Sequence, residues 1–311
     1  MRPPRLLLAS LVLLTAAGLA QQPPPTLGKT VAERLGYPAS ARLLMIHADD
    51  FGMLHSVNRA IIAAFEHKWI TSASILVPCP WFAEVAKFAH EHPEADLGIH
   101  LALNSEWTTV RWGPVASKSQ VPSLLDADGY LPLVENQVVA QAKANEVEIE
   151  LKAQIQKARD AGINIGHLDT HMGTLLRSPD LVAVYFHVGE REHLPMLRET
   201  PAVTGGAIPP ASTLVDRVIQ ISPGVPPEKW LDTYKQMLSP LGPGVYQLTV
   251  HLGHDDEELR GATYDHPNWG AAWRQQDLDL VSSPAFQQFL HEQGFVLVSW
   301  KELTKALLPT P

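Results

Sequence analysis

Short apolar runs rich in β-branched residues alternate with helical patterns from Ala41 onward. The runs at 42–48, 72–77, 96–103, 163–169, 245–250 and 295–300 predict buried strands. Helical periodicity covers Val57–Lys68, Ala83–His92 and the long stretch Ala140–Ala161. Strands that alternate with helices predict an α/β fold with a parallel sheet, either open or closed into a barrel. No repeat or long linker interrupts residues 41–308, so we expect one domain there.

Two segments depart from this alternation. Residues 104–134 and 195–227 are long and contain several prolines and glycines. Long loops in a compact domain often shape a binding site, so we expect both segments to be loops near one.

The first 20 residues have the pattern of a secretory signal peptide. Two arginines precede an apolar run from Leu6 to Leu14, and small residues end at Ala20. The run is short for a membrane span, so we expect cleavage after Ala20 and a secreted or periplasmic protein without stable membrane insertion. Residues 21–40 then form a proline-rich linker with one helical turn near Val31–Leu35. An uncleaved membrane anchor is the alternative.

The amino-acid composition limits the kinds of partner that this chain is expected to bind. The 24 Lys and Arg against 33 Asp and Glu give a formal net charge of −9, which disfavours nucleic acid and anionic membrane surfaces. With 45% hydrophobic residues the chain can build a large core. Cys79 is the single cysteine, so neither an internal disulfide nor a cysteine zinc cluster is available, and we expect a buried, inert thiol.

The first polar cluster, HADDFG, lies at the carboxyl end of the first predicted strand, where α/β folds place their sites. Adjacent Asp49 and Asp50 repel each other unless a positive charge lies between them. A metal ion would supply that charge, with one carboxylate as ligand and the other as base. A helix cap at Asp50 is the alternative.

Two further clusters carry histidines. His100 stands inside the apolar strand GIHL, where a lone histidine is more often a core residue than a ligand. The HLDTH stretch places His167, Asp169 and His171 on one face of an extended strand, since side chains alternate with period two. Strand ends from distant parts of the chain meet at one rim of such a fold, so the three clusters together favour a mononuclear metal site.

In this order and spacing, the three motifs resemble the YdjC/ChbG family of carbohydrate deacetylases, which is similar to the polysaccharide deacetylases. The resemblance extends from residue 41 to about residue 300, and includes VHLG after the predicted strand at 245–250 and an R-x-x-D pair at Arg274 and Asp277. It implies a distorted (β/α) barrel of about seven parallel strands, similar to a TIM barrel, with a divalent ion held by one Asp and two His.

Carried over to this sequence, the resemblance implies Asp50, His100 and His171 as ligands, Asp49 as the base and His251 as the general acid. It implies one divalent ion, with zinc or magnesium first and cobalt, nickel, manganese or iron as alternatives. The chain departs from the family pattern at Met172-Gly173-Thr174 and at VHLGH. His254 in the second of these competes with His251 for the acid role.

Other residues are candidates for supporting roles. Asp169 either orients a ligand or caps backbone, and Arg274 with Asp277 either braces the site or forms a surface pair. His47 either lines the pocket or fills structure. Four tryptophans in loop-like segments are either sugar platforms or core: Trp107, Trp112, Trp269 and Trp273.

The resulting hypothesis is a secreted metal-dependent hydrolase that removes an N-acetyl group from an amino sugar or short oligosaccharide. A metal-dependent esterase or amidase acting on another acyl group is the first alternative, because the ligand set does not select the acyl donor. A non-catalytic carbohydrate-binding protein is the second, and a homo-oligomer is left open.

Overall fold

The computed structural model describes residues 29–197 and 215–307. The predicted signal sequence at 1–20, the first part of the predicted linker and most of the predicted loop at 195–227 lie outside the described residues.

The described strands form one parallel sheet. They are β1 (Arg42–Phe51), β2 (Ser72–Ile75), β3 (Leu97–Leu101), β4 (Ile165–Thr170), β5 (Arg217–Ile219), β6 (Gly244–Val250) and β7 (Phe295–Leu297). The order across the sheet is β4-β3-β2-β1-β6-β5, and β7 pairs with the first residues of β1. The sheet curves into a half-barrel with helices around it, which confirms the predicted α/β class with parallel strands.

The helices follow the strands as a parallel sheet requires. They are α1 (Val31–Arg34), α2 (His55–Glu66), α3 (Phe82–Glu91), α4 (Glu135–Gln141), α5 (Ala144–Asp160), α6 (Pro179–Arg191), α7 (Trp230–Leu238), α8 (Glu257–Ala262), α9 (Ala271–Ser282), α10 (Pro284–Glu292) and α11 (Trp300–Leu307). The predicted helical stretch over 140–161 is helical from Ala144 to Asp160, but the chain is extended at Ala142 and Lys143, between α4 and α5.

Successive side chains of β1 pack alternately into two different hydrophobic clusters, one on each face of the sheet. Leu44, Ile46 and Ala48 belong to the large core between the sheet and its helices. Leu43 and Met45 point the other way, into a smaller cluster that also contains Trp300. Since side chains alternate along a strand, His47 and Asp49 follow Leu43 and Met45 up the inner face. The inner face is therefore apolar at its amino end and polar at its carboxyl end.

Helices α1 and α11 cover the apolar end of this inner face. Ala32 of α1 and Leu303 of α11 pack into the same cluster as Leu43 and Met45. The predicted helical turn near Val31–Leu35 is thus packed against the barrel. Among the described residues, no helix has the length and apolar character needed to cross a lipid bilayer.

The predicted loop at 104–134 is irregular apart from one short 3-10 turn, Pro122–Leu124. Helix α5 holds it: the carboxylate of Glu150 accepts hydrogen bonds from the backbone N–H groups of Val115 and Ala116 at 2.9 and 2.8 Å. On its other side, Thr109 donates to the carbonyl of Gly261 in α8. The loop therefore spans from the β3–β4 side of the barrel to the β6 side, over the carboxyl ends of the strands.

Candidate metal centre

The chemistry-bearing residues predicted from the sequence meet at the carboxyl ends of four strands. Asp49 and Asp50 are near the end of β1, and His100 is the penultimate residue of β3. His171 follows β4 directly, and His251 follows β6 directly. Because parallel strands all end at the same rim, residues up to 202 positions apart in sequence become neighbours.

Asp50 has an unusual backbone conformation, and its side chain forms a buried ion pair. Its φ of 67° lies in the left-handed region, which side chains other than glycine rarely adopt. The Arg274 guanidinium donates to Oδ2 at 2.6 Å. Burial works against the charged carboxylate, but Arg274 and His171 outweigh it and hold the pKa of Asp50 well below its usual range. The other oxygen, Oδ1, is buried and has no hydrogen-bond partner.

His100 is oriented by a carboxylate behind it. Its Nδ1 lies 2.6 Å from Oδ1 of Asp169, its register partner on β4. An ionised carboxylate only accepts hydrogen bonds, so this nitrogen carries the hydrogen. In the neutral ring the lone pair is then on Nε2, which lies 3.6 Å from Oδ1 of Asp50. Asp169 therefore orients the ring of His100, and its role toward a metal ligand stays a prediction.

His171 is oriented in the same manner by Glu106, which was not among the residues predicted from the sequence. Its Nε2 lies 2.8 Å from a carboxylate oxygen of Glu106. Its Nδ1 lies 3.3 Å from Oδ1 of Asp50. Glu106 comes from the start of the 104–134 loop, 65 residues before His171, and no motif spacing marks it.

The three donor atoms fit a divalent cation. In the neutral imidazoles, both histidine lone pairs face the unpartnered oxygen of Asp50, and the three atoms all lie within 4.8 Å of one another. Donors that bind one zinc ion at about 2.1 Å in tetrahedral geometry lie about 3.4 Å apart. The His171–Asp50 and His100–Asp50 separations of 3.3 and 3.6 Å are close to that value. Nitrogen and carboxylate oxygen donors also suit several other divalent metals.

In the metal-free protein, a proton on His171 can balance the negative charge of the nearby carboxylates. Burial lowers the pKa of His171, but the carboxylates of Glu106 and Asp50 outweigh it and raise this pKa to about 10. A proton on His171 then takes the place that a cation would fill.

Asp49 has one oxygen anchored and one oxygen free. Oδ1 accepts from the Ser74 hydroxyl at 3.2 Å and lies 3.2 Å from Nε2 of His47. Oδ2 lies 3.8 Å from Nε2 of both His100 and His251. The free oxygen therefore faces the candidate metal centre, and the side chain, 13% exposed, is reachable from solvent.

His251 lies beside Oδ2 of Asp49, and its position is fixed through its backbone. Its N–H donates to Asp277 at 2.8 Å, and the same carboxylate accepts from Trp230 and Tyr234. Burial, together with Arg274 and His100, lowers the pKa of His251 to about 4, against the opposing effect of Asp50 and Asp49.

His254 lies apart from this group. Its backbone N–H bonds to the carbonyl of Ser56, and burial and the nearby Arg59 lower its pKa. Its position supports His251 as the histidine beside Asp49.

Arg274 and Asp277 both contact the site, but by different routes. The direct pairing considered for them from the sequence is wrong, because Arg274 pairs with Asp50 while Asp277 binds the backbone of His251. Both are buried, which also excludes the surface pair.

The tryptophans separate into packing and surface residues. Trp107 and Trp112 are each only 2% exposed, so neither offers a face to a sugar. Trp112 packs edge-on against His171, and Trp107 lies under the Arg274 guanidinium. Trp269 is 38% exposed, and its ring centroid lies 6.4 Å from that of His251.

The departure from the family pattern after His171 is a tight turn. Met172 and Gly173 both have positive φ values, 52° and 65°. The buried Asn104 side chain accepts a hydrogen bond from Thr174 at 2.7 Å and contacts the sulfur of Met172. The turn is thus tied to the start of the 104–134 loop, which also supplies Glu106.

Comparison with known proteins assigns the chain to a family. The family described as YdjC-like protein matches residues 43–292, which include all the residues of the candidate metal centre. This chain belongs to the YdjC-like family. Among its curated relatives, the carbohydrate deacetylase of Thermus thermophilus is 33% identical over 285 residues, which cover 88% of this chain and 98% of that protein. The carbohydrate deacetylase of Geobacillus stearothermophilus is 28% identical over 266 residues, covering 85% and 99%.

The fold has a counterpart among solved structures. A crystal structure of a proposed cellobiose-phosphate cleavage protein from Enterococcus faecalis superposes with a TM-score of 0.71 at 22% identity, covering 85% of this chain and 99% of that one. At this identity the likeness concerns the fold alone.

Proposed function

We propose that this YdjC-like protein is an exported, metal-dependent hydrolase that removes the N-acetyl group from an amino sugar or short oligosaccharide. The observation that carries the proposal is the convergence of three donor atoms, from Asp50, His100 and His171, beside the free carboxylate oxygen of Asp49. The names of the curated relatives support a carbohydrate as the substrate and an acetyl group as the group that is removed.

Asp50, His100 and His171 would hold the metal ion. When bound, such an ion lowers the pKa of a water molecule and stabilises the negative charge that develops on the acetyl oxygen. Asp169 and Glu106 keep the two imidazoles in the tautomers that present lone pairs to it.

Asp49 is the general base of the proposal. Its anchored Oδ1 fixes the carboxylate plane, and its Oδ2 is positioned to take the proton of the attacking water. A pure binding protein would have no use for a second, partly exposed carboxylate at this place.

His251 protonates the departing nitrogen. Its lowered pKa of about 4 means that the ring is neutral before the reaction. Oδ2 of Asp49 is 3.8 Å from its Nε2, so the proton that Asp49 takes from water can pass to this nitrogen. An imidazolium with so low a pKa gives its proton readily to an amine leaving group.

Trp269 is the proposed wall for the sugar ring. It is the tryptophan beside His251 that has an exposed face, and C–H groups of a pyranose pack well against an indole.

Export rests on the amino-terminal sequence alone. Residues 1–20 have the charged start, apolar run and small residues of a cleaved signal peptide. The substrate is then an extracytoplasmic sugar.

The test is acetate release by the metal-stripped protein from matched N-acetylated and O-acetylated sugars, with Zn, Mg, Mn, Co or Ni restored one at a time. Metal-dependent acetate from an N-acetyl sugar is the expected result. Asp49→Asn should retain the metal and lose turnover by about 10²- to 10⁴-fold. Acetate from O-acetyl sugars alone would indicate an esterase, and no acetate despite stoichiometric metal would contradict hydrolysis of acetyl groups.

A further inference from the structure

His47 is a fully buried histidine on β1, one inward-facing position below Asp49. It is the register partner of Ser72 on β2, and its Nδ1 lies 2.7 Å from the Ser72 hydroxyl. It is not one of the three residues proposed as ligands, and packing alone would not require a polar ring at this depth.

Nε2 of His47 faces two carboxylates at once. It lies 3.1 Å from Oδ2 of Asp169 and 3.2 Å from Oδ1 of Asp49. Ionised carboxylates only accept, so this nitrogen carries a hydrogen shared between them. One N–H group thus ties a residue of β1 to a residue of β4, across the inner face of the half-barrel.

In both Asp49 and Asp169, His47 holds one carboxylate oxygen and leaves the other free for a different contact. In Asp49, Oδ1 is held by His47 and Ser74, which leaves Oδ2 facing the metal centre. In Asp169, Oδ2 is held by His47, which leaves Oδ1 to orient His100. Both groups on which the proposed reaction depends therefore take their orientation from the same imidazole.

We propose that His47 is a positioning residue that fixes Asp49 as base and, through Asp169, His100 as ligand. This inference rests on the proposed function for its catalytic consequence. Its geometric content, that the carboxylate of Asp49 depends on His47 for its orientation, holds independently of the substrate.

His167 provides a matched control. It is as buried as His47 and contacts it edge-on at 5.0 Å between ring centroids, but neither of its ring nitrogens has a hydrogen-bond partner. Its ring stacks on Trp300 at 4.8 Å. Replacing either histidine by leucine removes a buried ring from the same layer, but only the change at His47 removes the bridge between the carboxylates.

The experiment compares His47→Leu, His47→Gln and His167→Leu in the full chain, by kcat, KM and metal content. His47→Leu should lower kcat by about 100-fold, the cost of misplacing a catalytic group by about 1 Å, with KM little changed and one metal per chain retained. His47→Gln keeps a side-chain N–H₂ donor and should recover most of the loss. His167→Leu should keep kcat close to that of the wild type.

Equal kcat in His47→Leu and His167→Leu would overturn the proposal. So would two metals per chain in the wild type with the second lost in both leucine variants, because His47 and His167 would then be ligands together with Asp169. A wild type that releases no acetate would refute the proposed function instead. Crystal structures of wild type and His47→Leu with zinc decide the inference in that case: a rotated Asp49 carboxylate supports it, and an unchanged one refutes it.

Discussion

At the scale of single residues, the candidate metal centre depends on carboxylates that orient imidazoles. The ligand candidates were predictable, because HADDFG, GIHL and HLDTH are recognisable motifs at the ends of strands in one sheet. Glu106 was not, since its role comes from a loop that folds back onto His171. Nor could the sequence show that Trp107 and Trp112 are buried, because tryptophan suits both a core and a binding surface.

Replacing Glu106 by glutamine should weaken metal binding. Without the carboxylate, His171 loses the acceptor that keeps the hydrogen on Nε2 and the lone pair on Nδ1. Loss of such an orienting partner typically costs 10- to 100-fold in metal affinity. Competition with a fluorescent chelator measures it, with Glu94→Gln on the surface as control. Equal affinities of the two variants would show that Glu106 does not orient the ligand.

The two late histidines should separate in their effect on turnover. His251→Ala removes the ring beside Asp49 and should lower kcat by about 10²-fold or more. His254→Ala, whose backbone contacts Ser56, should stay near the wild-type rate. Steady-state acetate release distinguishes them, and the reverse ranking would transfer the acid role to His254.

At the scale of elements, the pattern of apolar residues along the chain predicted the longer, apolar strands and helices. The six predicted strands all exist, because each lies in a short apolar run rich in β-branched residues. The strand β5 was missed since it has three residues, Arg217–Ile219, inside a proline-rich segment. The break between α4 and α5 was missed because Ala142 and Lys143 are themselves good helix formers.

The 104–134 loop should loosen when its anchor on α5 is weakened. In Glu150→Gln one carboxylate oxygen becomes an N–H₂ group, which cannot accept from the backbone of Val115 or Ala116. Leaving a buried donor unpaired costs about 1–3 kcal/mol, and these partly buried donors should lie toward the lower end of that range. Hydrogen exchange in the loop should therefore accelerate more than elsewhere. Glu148→Gln, on the same helix but paired with Lys152, is the control, and equal exchange in both variants would contradict the anchoring role.

At the scale of the whole molecule, apolar packing and ionisable side chains occupy opposite ends of the half-barrel. Apolar residues and the helices α1 and α11 fill the amino end. The carboxyl end holds ionisable side chains, and their protonation states determine whether they repel or attract one another. Stability of the metal-free protein should therefore depend on pH through those side chains.

The free energy of unfolding of the metal-free protein should fall as the pH rises from about 6.5 to 10. Despite their burial, neighbouring carboxylates raise the pKa of His47 to about 9 and that of His171 to about 10, against about 6.5 in the unfolded chain. The folded state then binds more protons, so the stabilisation is complete below pH 6.5 and is lost through these higher pKa values.

Urea unfolding in the presence of a chelator at pH 6, 8 and 9.5 measures this dependence, which has a limiting slope of about 1.4 kcal/mol per pH unit for each histidine. His171→Gln should show a weaker decline. A stability that is flat or rises over this range would contradict the proton assignment.

In the proposed reaction, one metal ion at Asp50, His100 and His171 activates the water that hydrolyses the acetyl group. The most direct measurement titrates the metal-stripped protein with zinc and follows acetate release from an N-acetylated sugar. Activity should be absent without metal, rise with each addition and saturate at one equivalent per chain, while Asp49→Asn binds the same equivalent and stays inactive. Full activity in the stripped protein, or in Asp49→Asn, would contradict the account.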